Sequence, residues 1–383
     1  MNELIARARD EAKSADENGR KQLLDSLRNL SYEIETPQDT MQRIMFLHVQ
    51  TTVIRIAYDL RLFKIFVEKQ GSTTVTALAE ETKATIGLMG RILRYLSSVG
   101  CIKEVEKDTF EANNITQALA MDGVQGGVHH LFDTFGPVLQ ILPDFLKENK
   151  YHEIADVANT PLQKAFNTNL PAFLWIQTAP SNFAHFNNWM TVQHMGMPIW
   201  LDIYPYQDKA QAIEGDVERT FFVDVGGGLG HQSIALRSEV PNLKNRILLQ
   251  EQPMVLEFAI EHPGVEKMPY DFFTEQPIKG AKIYYLRNII HDYPDEKAIV
   301  ILKNLAAALA EDSVILIDDM VIPDVGAHWH ATQLDIALMA GLASVERTRE
   351  AWYELIEKAG LKINQIYTYT ASLRDSIIEC VKE

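Results

Sequence analysis

Cysteine is scarce: Cys101 and Cys380 are the only two in 383 residues, far apart and in no metal-ligand spacing. That excludes a disulfide framework and points to a reducing, cytoplasmic compartment. Positive charge is also short, with 36 Lys and Arg against 52 Asp and Glu and a formal net charge of −16. Such a surface repels phosphate, so nucleic acid is not an expected partner. No apolar run approaches the ~20 residues that span a bilayer. The opening MNELIARARDEAKSADENGR lacks the apolar core of a signal peptide, so no membrane association is expected. What remains is ordinary globular composition, 46% apolar and 23% charged. The length suits two or three units of ordinary domain size.

The most informative stretch is Phe221–Glu251, FFVDVGGGLGHQSIALRSEVPNLKNRILLQE. It reads as an apolar strand reaching Asp224, a glycine-rich turn, a helix, and a second apolar strand ending in an acid. Gly226, Gly228 and Gly230 let the backbone turn sharply and approach a ligand. Glu251 falls about 20 residues further on, where an acid at a strand end accepts hydrogen bonds from ribose hydroxyls. The dinucleotide fingerprint G-x-G-x-x-G is not met, because the third glycine comes one residue early. No G-K-[ST] follows, so a P-loop is excluded. The D-x-G-x-G-x-G pattern resembles that of S-adenosylmethionine (SAM) methyltransferases. On these residues alone a nicotinamide cofactor and a purely structural turn stay open.

Four segments are expected. Residues 1–36 form a polar helical arm, either for dimerisation or as a frayed surface helix. Residues 37–120 begin with a helix whose apolar positions (Met41, Ile44, Met45, Leu47, Val53, Ile56) cover most of its circumference, predicting burial within one subunit or between two. A winged helix-turn-helix pattern follows, with helices from Thr76 and Ile86 and short strands around Ile102–Val105 and Thr109–Ala112. Its would-be recognition helix offers only Arg91 and Arg94, so a structural or dimerising role is favoured over DNA binding. Residues 121–207 are helical and aromatic-rich. There Phe183, Phe186, Met190 and His194 recur at helical spacing, which fits either a core helix or the wall of a pocket for a flat substrate. Residues 208–383 alternate strand and helix, implying a mostly parallel sheet with its ligand at the carboxyl ends of the strands.

Polar residues gather at those strand ends: Arg287 and His291-Asp292 in RNIIHDYPDEK, Asp318 and Asp319 in ILIDDMVIP, Glu346 and Arg347 in SVERT. A histidine with two carboxylates from separate loops suits general-base work, one acid orienting the ring while the other nitrogen takes a proton. Alternatively His291 caps the following helix, although Asp295 is itself a good N-cap.

With VDVGGGLG, RNIIHDYPDEK and SVERT, the chain resembles plant- and fungal-type small-molecule O-methyltransferases, the caffeate and isoflavone class, from about Met41 onward. The resemblance implies a Rossmann-like class I methyltransferase domain with a mostly parallel seven-stranded sheet, preceded by a mainly helical winged-helix dimerisation domain. It implies His291 as catalytic base flanked by Asp319 and Glu346. SAM would be held by Asp224, Gly226, Gly228, Gly230, Glu251, Asp271, Phe272 and Arg287. His129, Phe186, Met190, His194 and Asp292 are candidate substrate contacts. No metal is implied, and a homodimer is. A rival within the fold is the leporin-type dehydratase and pericyclase group, in which bound SAM is not consumed. There an Arg-Asp pair can replace the catalytic histidine, whereas this chain keeps His291-Asp292; His129 matches a histidine those enzymes use.

Overall fold

The computed structural model describes residues 2–193 and 195–383. They fall into two units: an α/β unit of Met1–Lys21, Glu153–Val157 and Met197–Glu383, and a helical unit of Gln22–His152 and Ala158–Gly196.

In chain order the strands are β1 (Thr73–Thr74), β2 (Lys103–Glu106) and β3 (Thr109–Glu111) in the helical unit. The α/β unit holds β4 (Phe222–Val225), β5 (Ile247–Glu251), β6 (Glu266–Pro269), β7 (Ile283–Arg287), β8 (Val314–Met320), β9 (Leu361–Thr368) and β10 (Asp375–Lys382). The large sheet has the order β6-β5-β4-β7-β8-β10-β9. Its first five strands run parallel and β10 lies antiparallel between β8 and β9. Successive side chains on β4 and β8 face opposite ways, and both faces are covered, which is why the strands read as near-continuous apolar runs. Val223, Leu286, Ile315 and Ile317 pack with Ile301, Leu305, Trp352 and Leu355 of the helices Asp295–Ala306 and Arg349–Lys358. Phe222, Tyr285 and Leu316 pack on the other face with Trp200, Tyr204 and Leu236. Each such side chain contributes about 1.5–3 kcal/mol by leaving water.

The expected strands at Ala281–Leu286 and Ser313–Asp318 form with slightly shifted ends. β6 was not anticipated; its sequence EKMP has no apolar alternation, and it lies at the sheet edge.

In the helical unit the helices Val75–Thr82 and Ile86–Ser98 are followed by the β2–β3 hairpin, with β1 completing a three-stranded sheet. Their core is Phe63, Phe66, Leu78, Met89, Leu93 and Phe110. The apolar stretch after Pro37 is two helices, Pro37–Met45 and Leu47–Asp59, divided at Phe46. Burial within its own chain fails there: Met41, Ile44, Met45, Phe46, Leu47 and Ile56 are all exposed. The helix Pro180–Met190 has no fully buried residue, so the core-helix reading fails as well. It stops at Met190, and His194 lies outside the described residues.

This helix packs closely on Asp122–His129 because glycines face it. A Cβ on Gly126 would sit 2.7 Å from the His185 carbonyl oxygen, and one on Gly127 would sit 2.6 Å from the Trp189 ring. Contacts that short are not tolerated, so larger residues would push the helices apart.

Candidate active site

The site lies at the carboxyl edge of the large sheet, where the chain leaves the central strand β4 to one side and then the other. β4 ends in Asp224 and Val225, and the turn beyond has Gly226, Gly228 and Gly230 at φ +72°, +56° and +88°. Asp224 is buried, and Ser233 Oγ donates to its Oδ2 at 2.7 Å. Burial pushes its pKa up to about 6, and its Oδ1 has no hydrogen-bond partner among the described residues. The turn wraps this carboxylate so tightly that a Cβ on Gly227 would lie 2.4 Å from its carboxyl carbon. Gly227 was not among the expected site residues, since motif spacing marks only every second glycine.

Glu251, at the end of β5, reaches back to the turn. Its Oε2 accepts from Gly228 N at 3.1 Å and its Oε1 from Gln252 N at 2.7 Å. Each oxygen keeps a lone pair for another donor. Beside it, Gly226, Glu251, Tyr270, Asp271, Phe272 and Tyr293 line a recess open to solvent. Phe272 stands edge-on to Tyr293, and Asp271 accepts the Phe273 N–H at 3.0 Å. An aromatic wall for a base, an acid with open lone pairs, and a backbone turn free of Cβ atoms fit the nucleoside part of SAM.

His291 follows β7 in the short turn Ile290–Asp292. Its Nδ1 is 2.7 Å from Glu346 Oε1, and its Nε2 is 3.6 Å from Asp292 Oδ1. Burial alone would lower the imidazole pKa. The carboxylates of Glu346, Asp319 and Asp292 outweigh it and hold the pKa well above 6.5. Asp319 is buried with neither oxygen hydrogen-bonded among the described residues, and burial pushes its pKa up to about 8. Asp292 is likewise pushed up to about 6, burial leading and His291 opposing. His291, Asp319, Glu346 and Asp292 therefore form one coupled cluster.

The helix after His291 starts differently from expectation. Its N-cap is Pro294, not Asp295, and His291 has no capping role. Asp295 instead receives Arg347 Nη2 at 2.8 Å. Arg347 is buried, and it also donates to the carbonyls of Ile290 at 3.0 Å and Tyr293 at 2.8 Å. Asp335 Oδ1 accepts the Glu346 N–H at 3.0 Å. Arg287 lies 3.7 Å from buried Asp318. Asp318 also accepts the hydroxyls of Tyr285 and Tyr369. None of these ties was visible in the sequence, because the partners are 11 to 57 residues apart and come from different elements.

The expected substrate contacts of the helical unit that the structure describes lie on two helices, Asp122–His129 and Pro180–Met190. His129 is buried, Phe186 packs against His130 at 5.3 Å between centroids, and Met190 is exposed.

An O-methyltransferase domain model matches residues 210–362. The O-methyltransferase LepI of Aspergillus flavus is 41% identical over 362 residues, covering 94% of this chain and 93% of that protein. The chain belongs to the SAM-dependent O-methyltransferase family. Within it, the demethylsterigmatocystin 6-O-methyltransferase of Aspergillus flavus is 35% identical over 383 residues, covering 100% of this chain and 98% of that one. The structure of LepI in complex with SAM superposes with a TM-score of 0.92 at 38% identity, covering 100% of this chain and 98% of that chain. A solved pericyclic reaction enzyme gives the same TM-score and identity over 100% and 99%. Family membership makes the fold that of a class I methyltransferase, the cofactor SAM, and the chain an enzyme acting on a small molecule.

Proposed function

We propose that this enzyme methylates a hydroxyl of a small aromatic or polyketide-type secondary metabolite, without a metal, using His291 as general base. The observation that carries this reading is the 2.7 Å contact between His291 Nδ1 and Glu346 Oε1. A carboxylate only accepts, so Nδ1 carries the proton and Nε2 is left to take one from a substrate hydroxyl. A phenol of pKa ~10 is a weak nucleophile at neutral pH, and such base assistance is worth ~10²–10⁴-fold. Bound SAM supplies the electrophilic methyl group. Asp224, the turn Gly226–Gly230, Glu251, Asp271 and Phe272 would hold it, and Arg287 would set the charge on that edge. Asp292 beside Nε2, and His129, Phe186 and Met190 in the helical unit, are the proposed substrate contacts.

The same reading includes a homodimer in the cytosol. Its support is the run of exposed apolar side chains from Met41 to Ile56, whose composition is that of a covered surface. The free, buried thiols of Cys101 and Cys380 suit a reducing compartment.

A second reading is favoured by the likeness to a pericyclic reaction enzyme: SAM stays bound and intact while the protein catalyses dehydration and ring closure. Incubation with methyl-labelled SAM and a panel of phenols, polyketides and pyridone alcohols separates the two. Label in the product supports methyl transfer. Product without label or S-adenosylhomocysteine replaces it with the pericyclase reading.

A further inference from the structure

Glu346 is buried, yet its carboxylate has one hydrogen bond among the described residues, from His291 Nδ1 to Oε1 at 2.7 Å. Its Oε2 has no hydrogen-bond partner among them. A carboxylate held at one point can pivot about that point. The direction in which Glu346 meets the histidine is therefore set by the backbone that carries it.

That backbone is tied at three successive residues. The Val345 N–H donates to the His291 carbonyl at 3.1 Å, and the Arg347 carbonyl accepts the Ile322 N–H at 3.1 Å. Both bonds join main chain to main chain. Between them the Glu346 N–H donates to a side chain, Asp335 Oδ1, at 3.0 Å. Asp335 stands on the helix Trp329–Leu342, which ends at Ala343 in the left-handed region, φ +55°. The chain reverses there and brings Glu346 back to a residue 11 positions earlier. A non-glycine residue keeps such a conformation only where the surrounding bonds over-determine it.

The charge of Asp335 does not account for its place. Burial leads in raising its pKa, the Glu346 N–H opposes, and the negative charges of Glu346 and Glu153 add to the rise. A half-buried acid among like charges is unfavourable, and the bond to Glu346 is what offsets it.

We propose that Asp335 is a positioning residue for the reaction: its oxygen fixes the Glu346 peptide, and through Glu346 it aims the His291 ring. It acts through these two residues rather than on the reacting atoms. The inference rests on the reading of His291 as the base. It requires an accepting oxygen at this place and does not require a charge.

The test uses full-length protein with ¹⁵N-labelled histidine and bound S-adenosylhomocysteine, His291 being assigned by the resonances lost in His291→Gln. Asp335→Asn keeps an oxygen at the same reach, so the hydrogen-bonded Nδ1–H signal and the His291 titration should match wild type. Asp335→Glu keeps the charge but moves the oxygen by a methylene, and Asp335→Ala removes it. Both should weaken the Nδ1–H signal and bring the titration down toward the ordinary histidine range, the alanine variant by about one pH unit or more. Affinity for S-adenosylhomocysteine should stay within about twofold in all three, since the turn after β4 keeps its partners. If Asp335→Ala fails to fold, the contrast between Asn and Glu still decides. A His291 disturbed by Asn and unmoved by Glu would make the charge the active property and overturn the proposal. So would a lowered Tm in Asp335→Ala with His291 unmoved, the mark of a merely structural role. Label reaching an acceptor of the panel above while His291 ignores every Asp335 variant would leave methyl transfer standing and remove this role. A His291 that follows Asp335 in an enzyme that labels no acceptor would keep the positional tie and discard methyl transfer.

Discussion

Arg347 Nη1 donates to the carbonyl of Ile290 at 3.0 Å, one residue before the proposed base. Its neighbour Glu346 holds the base itself through Nδ1. Two adjacent residues of SVERT thus grip the His291 turn by backbone and side chain at once.

Replacing Arg347 with Met should separate these roles. The carbonyls of Ile290 and Tyr293 would lose buried donors, at about 1–3 kcal/mol each. Thermal unfolding should show the loss, and kcat should fall more than KM for SAM, since the cofactor-side residues keep their partners. An unchanged Tm would show that the clamp is not a stability element.

The pH dependence follows from the cluster's charges. With His291 held above 6.5, its neutral, base-competent form grows only as pH rises beyond that value, so kcat/KM should climb through the mildly alkaline range. Stability should move the other way. A group whose pKa is raised on folding stabilises fully below its unfolded value and loses that contribution as pH passes the folded one. His291 and Asp319 (about 8) have raised values whose losses extend above pH 6, while Asp292 (about 6) has lost most of its contribution by then. Tm should therefore decline from pH 6 to 9 while kcat/KM rises. Glu346→Gln removes the strongest neighbouring charge and should shift the activity limb to lower pH with a lower plateau.

Gly227→Ala is expected to be severe although its φ is unexceptional. The new methyl would meet the Asp224 carboxyl carbon at 2.4 Å. Such overpacking costs about 1–3 kcal/mol. Calorimetric titration should show SAM affinity falling by at least tenfold, and native affinity would mean the turn can relax away from Asp224.

A charge placed in the exposed apolar run tests the dimer. Met45, 65% exposed in one chain, changed to Glu should give a monomer by sedimentation if a second copy covers it. A wild-type protein that sediments as a monomer would remove the dimer proposal.

Legibility in the sequence followed the range of the interaction. The strand, glycine turn and helix after Phe221 were readable because their signals lie within a few residues, and the alternation of elements gave the α/β class. His291 and Asp319 could be nominated because they stand where β7 and β8 end at one edge, and Glu346 because it lies in a turn ahead of a helix. Arg347, Tyr285 and Tyr369 could not be, since their partners come from distant elements and Tyr in a strand reads simply as core. The apolar helix after Pro37 showed its composition but not what covers it. Gly126 and Gly127 gave no turn signal; their meaning is the space they leave for another helix.

Glu251 ties the turn to β5 through the Gly228 N–H, a bond made wholly within the protein. The entropy of ordering the turn is therefore spent during folding, and binding inherits a preshaped cradle. Glu251→Gln would keep the side chain's reach and one accepting oxygen while removing the charge. Its association rate for SAM should stay near wild type while dissociation quickens, whereas Glu251→Ala, which lets the turn go slack, should slow association as well.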